Sequence, residues 1–235
     1  MGDYLNTLVF GYYPYICLAV FFLGSLIRFD REQFTWRSGS SQLLRRKQLR
    51  LGSNLFHIGV LVIFFGHLIG LLTPIAVFDA MGISHSFKQI MAILVGGIAG
   101  VLALVGATLL LHRRLGDPRI RANSAPSDNF VLILLYVQLL LGMATIPISL
   151  GHLDGHMMLN FMAWAQGIWT FQPGAAALVA EAHWIFKLHL FLGLTTFLVF
   201  PFTRLVHVWS VPVWYLGRRG YQIVRTRNGN GRKPV

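Results

Sequence analysis

Five long apolar runs alternate along the chain with short polar segments, and this alternation predicts the fold. The runs are approximately Tyr4–Ile27, Gly52–Leu72, Ile90–Leu111, Phe130–Leu150 and His183–Trp209. A helix needs about 20 apolar residues to cross the hydrocarbon layer of a bilayer, so each run predicts one transmembrane helix. Together they use most of the 235 residues, which predicts an all-α integral membrane protein. Residues 1-235 then form a single membrane domain: helices about 4-27, 52-72, 90-111, 130-150 and 183-209, followed by a basic tail over 210-235. Pro14 should bend the first helix, as the bilayer context tolerates. Thr73-Pro74 should stop the second. The fifth run carries Gly193 and Pro201, which predicts tilt or a kink in a helix of about 27 residues.

The polar segments give the orientation. Three of them, Arg28 to Arg50, Arg113 to Arg121 and Arg204 to Lys233, contain eighteen of the twenty Lys and Arg residues. They follow the first, third and fifth helices, so all lie on one side, which the positive-inside rule makes the cytoplasm. The N-terminus is then outside and the C-terminus cytoplasmic. The formal charge of +12 is explained by this placement and does not call for nucleic acid. The basic loop Phe29–Arg50 is long enough to be a docking surface for a cytoplasmic partner. Met1 to Leu8 carries no basic residue, so the first run reads as an anchor, not a secretory signal. The outer segment Gly151–Glu181 is nearly free of charge, and Trp164 and Trp169 in it suit the headgroup level.

Candidate chemistry lies in the apolar runs themselves. His57 and His67 share the second run, and His189 and His207 share the fifth. Ionisable side chains at membrane depth are costly and mark function, and neutral imidazole is the common protein ligand of haem iron. The two helices are antiparallel, so depth pairs His57 with His207 toward the cytoplasm and His67 with His189 toward the outside. The spacings differ: ten residues of helix rise about 15 Å, and eighteen rise about 27 Å. Tilt, the Pro201 region and canted porphyrin planes would have to absorb the difference. The single cysteine, Cys17, excludes an internal disulfide, a four-cysteine iron–sulfur cluster and covalent haem attachment, so any haem is b-type. Cys17 itself reads as an apolar filler.

Other features stay open at this level. Gly52, Gly59 and Gly66 recur every seven residues and would let a flat macrocycle approach the second helix. Gly96, Gly97, Gly100 and Gly106 on the third helix read chiefly as a helix-packing stripe. His85, His112, His152, His156 and His183 read as loop or interfacial residues, with His183 a possible substitute for His189 as the outer ligand. Lys88, at the outer start of the third helix, is either an amine reaching the headgroups or a donor that orients a quinol ring. Arg113, Arg114 and Arg204 are positive-inside residues or partners of haem propionates, the former being the plainer account. A haem-free, proton-coupled membrane protein remains the rival reading from a different class.

The runs Asn54-Leu-Phe-His57-Ile-Gly59, Gly66-His67 and Thr73-Pro74 resemble the gamma subunit of membrane-bound respiratory nitrate reductase. So do Phe186-Lys-Leu-His189-Leu and Phe200-Pro201-Phe-Thr-Arg204-Leu-Val-His207-Val-Trp209-Ser-Val-Pro212. Tyr13-Pro14-Tyr15-Ile16, Gln33-Phe-Thr-Trp36-Arg37, Ser40-Ser41-Gln42 and Arg113-Arg114-Leu115 extend the likeness over nearly the whole chain.

The resemblance implies a five-helix bundle holding two b-type haems in the bacterial cytoplasmic (inner) membrane. It implies His57 and His207 as ligands of the inner haem, and His67 and His189 as ligands of the outer haem. It places Lys88, Gly66 and His67 at a quinol site. The implied activity is quinol oxidation near the outer face, with protons released outward and electrons passed inward. The implied partners are a cytoplasmic iron–sulfur beta subunit and a molybdopterin alpha subunit that reduces nitrate. The same likeness leaves a haem b anchor of another cytoplasmic reductase, of heterodisulfide- or sulfite-reductase type, as the nearer alternative.

Overall fold

A computed structural model describes residues 2–36, 41 and 43–210. The expected tail beyond Ser210 lies outside the described residues, as do Arg37, Ser38, Gly39, Ser40 and Gln42 of the basic loop. Five helices are long and apolar enough to cross a membrane: Gly2–Arg31, Arg46–Leu72, His85–Gly116, Pro126–Leu150 and Trp184–Phe202. Large apolar side chains stand on their outward faces, Ile98 at 66% and Leu61 at 50% exposure among them. A surface of that kind suits lipid.

The first span is one continuous helix with two wide turns. In the first of them, Leu8–Tyr12, the Tyr13 N–H bonds back to the Leu8 carbonyl. Pro14 follows at once; it has no N–H to donate and its ring excludes the carbonyl four residues back, so the helix widens just before it. The second span starts at Arg46, six residues before its apolar run, and stops at Thr73-Pro74 as expected. The third starts at His85, where the Ser84 hydroxyl accepts the Phe87 N–H at 3.2 Å and caps it. The fourth runs from Pro126 with Pro147 inside it.

Ion pairs gather the ends of the second, third, fourth and fifth spans at one basic end. Arg45 meets Asp117 at 2.9 Å, while Arg114 and Arg204 approach Asp128 at 3.6 and 3.7 Å. Arg113 is buried and donates to the carbonyls of Ser41 and Leu44 at 2.8 and 2.7 Å, so it ties down the loop before the second span.

The far end is closed by a helix the apolar pattern did not separate, His156–Trp169. Gln166 on it donates to the terminal carbonyls Leu71 and Thr73 of the second span, at 3.0 and 2.9 Å. Trp164 on it does not face the surroundings. Its indole is buried and donates to the Phe10 carbonyl at 2.9 Å, holding the closing helix to the first span. Trp169 stays half exposed.

The glycine stripe of the second span is corrected. A Cβ on Gly59 would lie 2.4 Å from the Ala99 carbonyl oxygen, and one on Gly52 would lie 3.1 Å from Leu109. Both therefore face the third span, where Gly106 answers them: its Cβ would lie 2.3 Å from the Phe56 nitrogen. These glycines serve backbone contact between helices. Only Gly66 of the stripe meets nothing within 4 Å.

The fifth span departs most from expectation. It is α-helical only over Trp184–Val199. A short 3-10 turn, Phe200–Phe202, follows, then an extended Thr203 (φ −123°, ψ 177°), then a second 3-10 segment, Arg204–Ser210. Pro201 removes one helical donor and crowds the carbonyl four residues earlier, and here the helix breaks outright instead of tilting through. The Arg28 guanidinium accommodates the break by donating to the Pro201 and Thr203 carbonyls, at 2.5 and 3.0 Å. Gly24 makes room, since a Cβ there would stand 2.9 Å from the Pro201 ring.

Gly106→Val should lower the unfolding midpoint of the purified protein in detergent, by the equivalent of about 1–3 kcal/mol of overpacking. Gly96→Ala, whose Cβ meets nothing within 4 Å, should stay within about 0.5 kcal/mol of the parent.

Candidate functional site: two imidazole pairs between the second and fifth spans

The second span packs closely along the third, the third on the fourth, the fourth on the fifth, and the fifth on the first. The second and fifth meet each other through imidazoles. His57 faces His207 with ring centres 6.3 Å apart, and His67 faces His189 at 6.2 Å. The pairs expected from depth are therefore the pairs the fold brings together. The break after Val199 absorbs the mismatch in spacing, because His207 does not continue the axis on which His189 stands.

The separations are chemically informative. Two imidazoles on opposite sides of one metal have ring centres roughly 6.3 Å apart, from a metal–nitrogen bond of about 2.0–2.1 Å and about 1.1 Å from nitrogen to ring centre. A direct hydrogen bond between the rings would bring the centres to roughly 5.2 Å, given about 3 Å between nitrogens. Neither pair is hydrogen-bonded ring to ring. Among the described residues no group of three or more His, Cys, Asp or Glu side chains could hold a bare ion. A pair of imidazoles fits an iron whose other four ligands come from a porphyrin.

Ring orientation agrees. His57 Nδ1 lies 2.7 Å from the Ser53 carbonyl, His67 Nδ1 2.8 Å from Ile63, and His207 Nδ1 2.6 Å from Arg204. A carbonyl only accepts, so each Nδ1 carries the proton and each Nε2 keeps its lone pair for a metal. His189 differs: its Nδ1 is buried without a hydrogen-bond partner. Its backbone carbonyl accepts from Gln138 at 3.0 Å, and a Cβ on Gly142 would stand 3.1 Å from its ring carbon Cε1. Gly142 and Gln138, on the fourth span, set where this ring lies. A glutamine and a glycine in one apolar run, Gln138 and Gly142, were the traces of that role in the sequence.

Lys88 does not reach away from the protein. Its Nζ donates to the Gly70 carbonyl at 3.0 Å, contacts Met162 Sδ at 2.8 Å and sits 3.6 Å from the centre of the Phe78 ring. Gly70 is one turn beyond His67 on the second span, so the ammonium is anchored beside the far-end pair. Gly66, with open space where a Cβ would be, precedes His67. His183 has a local role: its Nδ1 accepts the Ile185 N–H at 3.3 Å and caps the fifth span, while the ring that faces His67 is that of His189. His85 pairs with Asp79 at 3.0 Å, His112 lies 3.2 Å from Gln48, and His152 Nδ1 donates to the Ile148 carbonyl at 3.0 Å. None of these three joins the imidazole pairs. Cys17 is fully buried among apolar side chains, as expected.

Residues 6–227 match the family model described as nitrate reductase gamma subunit. The chain belongs to the nitrate reductase gamma subunit family. It is 51% identical over 227 residues to the respiratory nitrate reductase 2 gamma chain of Escherichia coli K12, covering 97% of this chain and all of that one. The respiratory nitrate reductase 1 gamma chain of the same organism is also 51% identical, over 96% of this chain and all of its own length. The nitrate reductase gamma chain of Bacillus subtilis 168 is 39% identical, over 95% of this chain and 99% of its own. Family membership and the five apolar helices together make this a multi-pass membrane protein and an electron-transport subunit of an oxidoreductase.

Proposed function

We propose that the chain is the quinol-oxidising, dihaem cytochrome b subunit of respiratory nitrate reductase in the bacterial cytoplasmic membrane, with its N-terminus outside. The observation that carries this reading is the pair of ring separations, 6.3 and 6.2 Å, at two levels of one bundle. His57 and His207 bind at the inner level, and His67 and His189 at the outer level. Two b-type haems held there would supply one-electron relays between the membrane faces.

The residues around the outer pair suit a quinol. Gly66 leaves the second span open beside His67, and Lys88 holds a cation against the Gly70 carbonyl, one turn from that imidazole. An ammonium in that position hydrogen-bonds a quinol oxygen and orients the ring for oxidation. The two protons leave toward the outer face and the electrons go inward, so turnover separates charge across the membrane. On the inner side Arg46, Lys47, Arg50, Arg119 and Arg121 are exposed and form a basic surface. That surface suits the iron–sulfur beta subunit, which passes electrons to the molybdopterin alpha subunit where nitrate is reduced.

His67→Ala or His189→Ala, in the assembled complex, should remove one of two haems per chain and abolish quinol-linked nitrate reduction. Nitrate reduction by an artificial donor to the soluble subunits should persist. Quinol oxidation at the normal rate in the doubly substituted complex would refute the scheme. Gly142→Val pushes a side chain against the His189 ring and should reproduce the His189→Ala spectrum in milder form. Lys88→Ala should leave both haems in place and weaken quinol binding by about 10- to 100-fold, the range for losing a charged hydrogen bond. The ratio of KM to kcat effects with a soluble quinol analogue measures this.

A further inference from the structure

His207 stands on a segment that its own helix does not hold. The α-helical ladder of the fifth span ends at Val199, and the link at Thr203 is extended. The Thr203 N–H closes the 3-10 turn on the Phe200 carbonyl at 3.2 Å, and the Thr203 hydroxyl donates to that carbonyl and accepts the Leu205 N–H at 3.3 Å. These bonds are local to one threonine, yet its extended torsions aim the whole segment Arg204–Ser210. Within that segment the imidazole is locked to the backbone, with Nδ1 donating to the Arg204 carbonyl at 2.6 Å. Any rotation at the break therefore carries the His207 ring with it.

The first span adds a long-range constraint to these local bonds. One nitrogen of Arg28, Nη1, donates to both the Pro201 and the Thr203 carbonyls, at 2.5 and 3.0 Å. Those two peptide groups flank the torsions in question, so a shared donor fixes one against the other. The second nitrogen, Nη2, donates to the Thr35 carbonyl at 3.0 Å, which keeps the guanidinium itself from turning. The far end of the segment is held from the same side of the bundle. Trp36 Nε1 donates to the Ser210 hydroxyl at 2.7 Å, and the Phe21 ring lies 4.8 Å from Phe200 and 5.4 Å from Trp209. No carboxylate within 4.0 Å forms an ion pair with Arg28 among the described residues. Its two terminal nitrogens donate to three backbone carbonyls, while its buried Nε has no hydrogen-bond partner; a planar fork of N–H groups suits that spread of acceptors.

We propose that Arg28 is a positioning residue for the inner haem: it holds the break in the fifth span at the angle that sets His207 opposite His57. The proposal rests on the haem reading above and concerns one haem only. Losing a group that orients a metal-bound histidine typically costs about 10- to 100-fold in affinity or activity. A guanidinium that merely braced the bundle would affect both haems alike.

The test uses Arg28→Gln and Arg28→Lys in the full nitrate reductase complex in membranes. The readouts are haem-to-protein ratio, the low-spin ferric resonances of the two haems, and their separate redox titrations. The outer haem should keep its resonance and titration, while the inner haem shows a shifted resonance and binds about tenfold or more weakly in Arg28→Gln. Arg28→Lys, which can reach the two carbonyls of the break but not Thr35 as well, should give a smaller change confined to the same haem. Unaltered inner-haem signals in both variants would overturn the proposal, and so would parallel loss of both haems. If Arg28→Gln does not accumulate, the lysine variant decides by the same criteria. A parent complex without b-type signals from this subunit would instead overturn the haem reading itself.

Discussion

On the haem reading proposed above, an iron held between two imidazoles accepts little variation in their separation, and the packing of this bundle meets that requirement. The second span acts as the ruler. It is a single unbroken helix from Arg46 to Leu72, locked to the third span by Gly59 and Gly106 at backbone contact. Its two histidines are ten residues apart, about 15 Å of rise. A straight fifth helix would place its own two about 27 Å apart, which could not serve both levels. The break at Pro201 and Thr203 resolves the conflict. One helix is rigid and the other is interrupted, and the interruption permits both ring pairs to form.

An interruption inside a membrane bundle needs its carbonyls satisfied, because no water is there to do it. This gives the basic residues distinct tasks that composition cannot separate. Arg28 serves the break, Arg113 serves the loop at Ser41 and Leu44, and Arg114 and Arg204 share Asp128. Arg46, Lys47, Arg50, Arg119 and Arg121 remain exposed. Counted together they mark one end of the bundle as basic; taken singly, some are internal struts and the others are exposed.

The parts legible in the sequence were those where one residue type violates its surroundings. Imidazoles in apolar runs stood out, and antiparallel topology alone paired His57 with His207 and His67 with His189. The ends of the second span were legible from Thr73-Pro74, because proline cannot continue a ladder. Less legible were residues with two good physical uses. A glycine allows either a cofactor or another backbone to come close, so Gly52 and Gly59 were misassigned while Gly142 passed unnoticed. Proline in a membrane helix bends it or breaks it depending on what receives the freed carbonyls, and the receiver, Arg28, is more than 170 residues away in sequence. The burial of Trp164 was not legible because its hydrogen-bond partner, the Phe10 carbonyl, lies on another span.

The most direct measurement is a reduced-minus-oxidised absorption spectrum of the purified subunit together with its haem-to-protein ratio. The account predicts b-type bands at two haems per chain, both low-spin with bis-histidine ligation. A preparation folded as five helices but lacking those bands, or saturating at one haem, would contradict it.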